Sequence, residues 1–171
     1  MQEDVAARFA SARILLVDDE QYMRKVVRTM LLGIGVRYIE EAHDGPTGLQ
    51  MIRNQAPDVV ILDWGMPGLN GASFVRMVRS PDTFPYPDVP IIMLTGHGER
   101  ARVIEALCVG VNEFLLKPVS TNALRDRLAA VLCRPRKMVS SGPYYGPVPR
   151  KLATAIHADN DRAIANLVML G

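Results

Sequence analysis

Cysteine is nearly absent: the chain has two, Cys108 and Cys133, far apart and each inside an apolar helical pattern. There is no CxxC pair and no Cys/His cluster, which argues against a zinc site and for a reduced, cytosolic protein. Charge of one sign is also scarce. A net charge of +2 makes no case for nucleic acid or a membrane surface as partner. Long apolar runs are missing too, and no stretch approaches the ~18 to 20 residues that a membrane span needs. The N-terminal "MQEDVAARFASAR" is acidic early and precedes the first apolar run without a hydrophobic core of its own, so it does not read as a signal peptide. The expected localisation is cytoplasmic. What is present is ordinary for a folded protein: 49% hydrophobic and 22% charged residues over 171 positions, enough for one domain and a short appendage.

Four short apolar runs are bounded by turn residues: "ILLV" at 14–17, "VVIL" at 59–62, "VPIIML" at 89–94 and "EFLL" at 113–116. None alternates strictly, which suits strands covered on both faces of a parallel sheet. "RYIEEA" at 37–42 alternates and reads as an edge strand. Helical patterns lie between. Met23, Val26, Val27, Met30 and Leu31 form one apolar stripe. Pro46 follows the Asp44-Gly45 turn and opens a helix carrying Leu49 and Ile52, closed by Pro57. Asn70-Gly71 precedes a helix with Phe74, Val75 and Val78. Ile104, Leu107 and Cys108 mark a fourth, stopped by Gly110. Ser120 or Thr121 caps a fifth, with Leu124, Leu128, Val131 and Leu132. The alternation predicts an α/β fold, an open, doubly wound parallel sheet with helices on both faces. The segment 80–90, with its four prolines, reads as an extended connector. After Cys133 the chain turns rich in Pro, Gly and basic residues and reads as a linker or surface-hugging tail, with a short helix expected at 160–169 behind Asp159 or Asn160.

In such a sheet, ligands bind outside the carboxyl ends of the strands. The first strand ends in Asp18-Asp19-Glu20, the third in Asp63, the fourth in Thr95-Gly96 and the fifth in Lys117-Pro118. Singly, each has an ordinary role as a turn, a helix cap or a solvated loop lysine. Together they bring carboxylates, a hydroxyl and an ammonium to one rim. Carboxylates that close repel one another unless a cation intervenes, and a hard divalent ion with oxygen ligands, Mg²⁺ or Mn²⁺, resolves that repulsion. Asp63 can then stay ionised and act as a nucleophile, while Lys117 and Thr95 face a group carrying negative oxygens. A phosphoryl group fits. Gly96 leaves room and an accessible N–H beside it.

"ILLVDDE", "VVILDWGMPGLNG", "IIMLTG" and "FLLKP" resemble the receiver domain of two-component response regulators, the CheY-like family, over residues 12–133. The resemblance implies a flavodoxin-like, five-stranded sheet in the order 2-1-3-4-5 with five helices, preceded by a lead at 1–11 and followed by a tail at 134–171. It implies phosphorylation at Asp63, and Mg²⁺ held by Asp18, Asp19, Asp63 and the backbone carbonyl of Gly65. Phosphoryl oxygens would be bound by Thr95, Gly96 and Lys117. Phe114 holds the place of the switch aromatic that turns inward when Thr95 moves. Gly65 and His97 occupy positions that tune phosphate lifetime. A histidine kinase or histidine phosphotransfer protein would be the donor, meeting Gln21, Tyr22, Lys25 and Pro118. A downstream protein would read the face of residues 99–133. "YYGPVPRK" is similar to the endings of stand-alone receivers, and no output domain is recognised in the chain.

Other readings stay open at this point. A receiver can serve as a phosphate sink or as a scaffold indifferent to phosphorylation. A haloacid-dehalogenase-like phosphatase also uses an aspartyl-phosphate, but its nucleophile ends the first strand in a DxD motif, where this chain has "VDDEQ". DNA binding lacks a recognition helix to go with the basic tail.

Overall fold

A computed structural model describes residues 2–96 and 100–149. Helix α1 (Gln2–Ser11) leads into strand β1 (Arg13–Val17). Then α2 (Gln21–Gly33), β2 (Tyr38–Ala42), α3 (Gly45–Gln55), β3 (Val59–Asp63), α4 (Gly71–Val78), β4 (Ile91–Thr95), α5 (Arg100–Val109), β5 (Glu113–Leu116) and α6 (Thr121–Cys133) alternate. A hairpin of β6 (Met138–Ser141) and β7 (Tyr144–Pro147) follows. The five main strands are all parallel, in the order β2-β1-β3-β4-β5.

The unbroken apolar runs have a direct cause. In β3, Val59 and Ile61 face the layer of α1, α2 and α6, while Val60 and Leu62 face the layer of α3, α4 and α5. β1 and β4 divide in the same way, Ile14, Leu16, Ile92 and Leu94 to one side and Leu15, Val17, Ile91 and Met93 to the other. A strand of period two buried on both faces has no position for a polar residue until it reaches its end. β2 is an edge strand as expected, but its burial does not alternate: Tyr38, Glu40 and Glu41 are exposed, Ile39 is half-buried and only Ala42 is buried.

The helix boundaries follow local chemistry. Asp44 Oδ1 accepts from Thr47 N at 2.7 Å to start α3, Asn70 Oδ1 accepts from Ser73 N at 3.0 Å to start α4, and Ser120 Oγ accepts from Ala123 N at 3.1 Å to start α6. Gly110, with φ of 101°, ends α5 in the left-handed region.

Two segments outside the family-like stretch are more ordered than the sequence suggested. The lead at 2–11 is helical, and its Phe9 is buried against the layer of α2 and α6. Part of the tail folds back as the β6–β7 hairpin, whose Gly146 lies against Gly110. The fold therefore has six helices among the described residues, where the resemblance implied five. The expected helix at 160–169 lies outside the described residues, as does His97.

Candidate functional site

Four strand ends build the site. Asp63 is the last residue of β3 and Thr95 the last of β4, both buried. Asp18 and Asp19 follow β1 directly, and Lys117 follows β5. The parallel register puts these ends on one rim: Asp63 pairs with Leu94, and Thr95 with Leu116. Lys117 N donates to Thr95 O at 2.8 Å, which holds the lysine at the edge of the sheet. Its Nζ then reaches back to Asp63 Oδ1 at 3.1 Å. Gly96 lies beside Lys117, and a Cβ built on it would meet Lys117 Cδ at 4.0 Å.

The carboxylates of Asp18, Asp19 and Asp63 gather, with one oxygen of each within 4.8 Å of the others. Asp18 is 4% exposed; its Oδ1 accepts from Glu20 N at 2.8 Å, while its buried Oδ2 has no hydrogen-bond partner. Its pKa is pushed up to about 6, chiefly by burial. The Glu20 N–H opposes that shift, the negative charge of Asp63 adds to it, Lys117 opposes it and Asp19 adds again. A buried carboxylate oxygen without a partner is costly, and a cation at that point relieves both the desolvation and the repulsion. The donor set, all oxygen and all anionic, fits Mg²⁺ or another hard divalent ion. Gly65 N approaches Asp63 Oδ1 at 3.4 Å, and a Cβ on Gly65 would meet nothing within 4 Å, so the rim is open at that point.

Two supports escaped the sequence reading. Arg24 Nη1 donates to Asp18 O at 2.6 Å, and Arg24 Nε pairs with Glu41 Oε1 at 3.4 Å. The acidic loop after β1 is thereby tied to α2 and β2. A cation one turn behind the run "DDE" was the available signal. The second support is Trp64, 6% exposed, whose backbone N donates to Leu94 O at 2.9 Å and whose O accepts from Gly71 N at 3.2 Å. It anchors the loop that follows Asp63.

Phe114 sits on β5, half-buried against the α3–α4–α5 layer. Gln21, Tyr22 and Lys25 lie exposed on the first turns of α2, Tyr22 at 75% exposure, and Pro118 is exposed beyond Lys117. These last four border the acidic rim by position, through the elements that flank it, and do not enter the cluster of Asp63 and Lys117.

A doubly wound parallel sheet with an acidic, metal-ready pocket and a lysine at its carboxyl edge defines a flavodoxin-like α/β domain. The chain belongs to the response regulator receiver domain family, whose sequence model matches residues 14–129. It is 34% identical over 122 residues to chemotaxis protein CheY-3 of Vibrio cholerae serotype O1, covering 71% of this chain and 92% of that protein. It is 37% identical over 121 residues to chemotaxis protein CheY1 of Helicobacter pylori, covering 70% and 96%. Among solved structures, chemotaxis protein CheY4 of Vibrio cholerae superposes with a TM-score of 0.64 at 34% identity, covering 71% of this chain and 98% of that one. The protein is thus a receiver domain of two-component signal transduction, a signalling protein and not an enzyme of the usual kind. Among the described residues, no helix is long and apolar enough to cross a membrane.

Proposed function

We propose that Asp63 accepts a phosphoryl group from a phosphohistidine on a histidine kinase or phosphotransfer protein. The observation that carries this is the Lys117 Nζ–Asp63 Oδ1 contact beside a buried, partnerless oxygen of Asp18. Asp18, Asp19, Asp63 and the Gly65 carbonyl would hold Mg²⁺, which when bound neutralises the acidic cluster and the charge on the phosphoryl oxygens. An Asp63 carboxylate oxygen forms the new bond to phosphorus as the N–P bond breaks. The bond electrons leave with the donor imidazole nitrogen. Lys117, already held by its backbone at the end of β5, moves its ammonium from Asp63 to a phosphoryl oxygen. The Thr95 hydroxyl and the Gly96 N–H face the remaining oxygens from the end of β4.

In this reading Thr95 shifts toward the phosphoryl group and the half-buried Phe114 ring turns inward. The face formed by α5, β5 and α6 then changes its population of states, and a downstream protein reads it. Gln21, Tyr22, Lys25 and Pro118 lie where a donor would dock, and Gly65 sets how freely water reaches the acyl phosphate. The receiver unit spans 12–133, the protein works in the cytoplasm, and its own groups assist both gain and loss of the phosphoryl group.

The test is incorporation of labelled phosphate from a small phosphodonor with Mg²⁺. Label should enter the native chain, disappear with chelator, and be absent from Asp63→Asn. Equal labelling of that variant would move the acceptor elsewhere.

A further inference from the structure

An apolar groove of about 810 Å³ opens between α1 and α6. It is lined by Val5 and Phe9 of α1, Ile34 at the end of α2, and Ala129, Leu132 and Cys133 of α6. Its rim is cationic, with Arg8, Arg125 and Arg134 against Asp4. One wall, α1, precedes the stretch that matches the receiver family at 14–129. The groove is therefore an addition to the receiver, and it lies apart from the acidic pocket.

We propose that residues 160–170 of this same chain fill the groove. Three observations commit it to this occupant. The first is pattern: Ile164, Leu167 and Val168 stand at i, i+3 and i+4, the spacing of an apolar helical stripe that matches an apolar trough. The second is reach. Val148 N donates to Lys137 O at 2.8 Å, and Arg136 Nη1 donates to Val148 O at 2.7 Å. The chain thus leaves the hairpin beside residues 136 and 137, close in sequence to Arg134 on the groove rim. Ile164 lies sixteen positions beyond Val148, and extended that stretch spans up to ~50 Å. The α6 wall from Arg125 to Arg134 is only ~14 Å long. A tether of that length holds the segment at an effective concentration in the millimolar range, so modest intrinsic affinity suffices. The third is charge: Asp159, the residue just before the segment, and Asp161 against Arg162 make the approach to it net negative, opposite to the rim. α1 and the tail thus form one accessory unit, both parts of which lie outside the family match.

Cys133 supplies the readout, because it lines the groove and is exposed. Its reaction with a disulfide reagent is followed in full-length protein on a Cys108→Ala background, so that a single thiol reports. Leu167→Asp and Ile164→Asp put a charge into the apolar stripe without touching the described fold. Each should make Cys133 react at least ten-fold faster than in the unsubstituted tail, with rates independent of protein concentration. Equally fast reaction in all three chains overturns the proposal. Slow reaction that the aspartates do not relieve overturns it too, and protection that grows with protein concentration assigns the groove to a second copy of the chain instead. None of these readouts depends on Asp63 or on phosphorylation.

Discussion

Asp18 occupies the most demanding position in the pocket, and its titration makes a prediction with a definite sign. Its folded-state pKa of about 6 lies above the ordinary 3.8, so the metal-free folded protein binds this proton more tightly than the unfolded chain does. The cost of holding this carboxylate ionised in the fold is fully present at pH 7.5 and is relieved as pH falls through 6 toward 4. Urea unfolding in chelator, compared between the native chain and Asp18→Asn, isolates that component. Asn carries no charge, so Asp18→Asn should be the more stable chain above pH 6, and its advantage should shrink as the pH is lowered toward 4. Saturating Mg²⁺ should abolish the effect near pH 6, because a bound cation favours the ionised carboxylate. A difference that ignores pH would mean that burial does not perturb this carboxyl.

At the scale of the elements, the turn after β3 shows how the nucleophile's neighbourhood is fixed. Gly71 opens α4 directly against Trp64: a Cβ there would lie 2.7 Å from Trp64 Cδ2 and 2.9 Å from Trp64 Cα. The ring can move but the backbone cannot, since Trp64 N is bonded to Leu94 O and Trp64 O to Gly71 N. Gly71→Ala should therefore destabilise the fold by about 1–3 kcal/mol and shift the fluorescence of Trp64, the single tryptophan. Chemical denaturation followed by that fluorescence checks both. The element scale also explains what the sequence concealed. The cap at Ser120, and the helix starts behind Asp44 and Asn70, were legible because each is set by a side chain acting on its own neighbours. The strands were legible because burial on both faces leaves runs such as "VVIL" unbroken. Helix α1 was not, since Val5 and Phe9 offer a single i, i+4 pair among charged residues, too little to set a period. Its order comes from Phe9 reaching the core, a tertiary contact.

For the whole molecule, Arg79 is the hub that no local pattern announces. It is 5% exposed, and burial brings its pKa down to about 10. Its Nε donates to Gly110 O at 2.9 Å, its Nη1 to Pro87 O at 2.6 Å and Val89 O at 2.7 Å, and its Nη2 to Asn112 Oδ1 at 2.8 Å. These acceptors come from the proline-rich segment and from the loop before β5, so the stretch at 80–90 is held by a side chain at the end of α4. Arg79→Leu would take the side-chain donor from three backbone carbonyls in or near the interior, and one of two donors from Asn112 Oδ1, and should cost about 3–5 kcal/mol. Thermal denaturation should show it as a large fall in melting temperature with the pocket residues untouched. The site itself was legible by a different route. Strand order and strand-end chemistry converge on one rim, so Asp18, Asp19, Asp63, Thr95 and Lys117 could be grouped without coordinates. Arg24 and Trp64 could not, because their roles run through backbone contacts that only the folded chain creates.

The hairpin packed on Gly110 gives the sheet two unlike ends. Arg136 also donates to Asn112 O, Tyr145 hydroxyl to Asp88, and Asn112 Oδ1 accepts from Ile91 N at 2.9 Å. At the amino ends of β4 and β5, polar groups are therefore densely satisfied. At their carboxyl ends, like charges crowd and a buried oxygen goes without a partner. The frustration of the molecule is concentrated at one pole, and the opposite pole is locked against it. A charge added or removed at the acidic pole meets a lattice clamped at its far end, so the response is channelled into the loops and helix ends near the rim rather than dissipated by sliding of the strands.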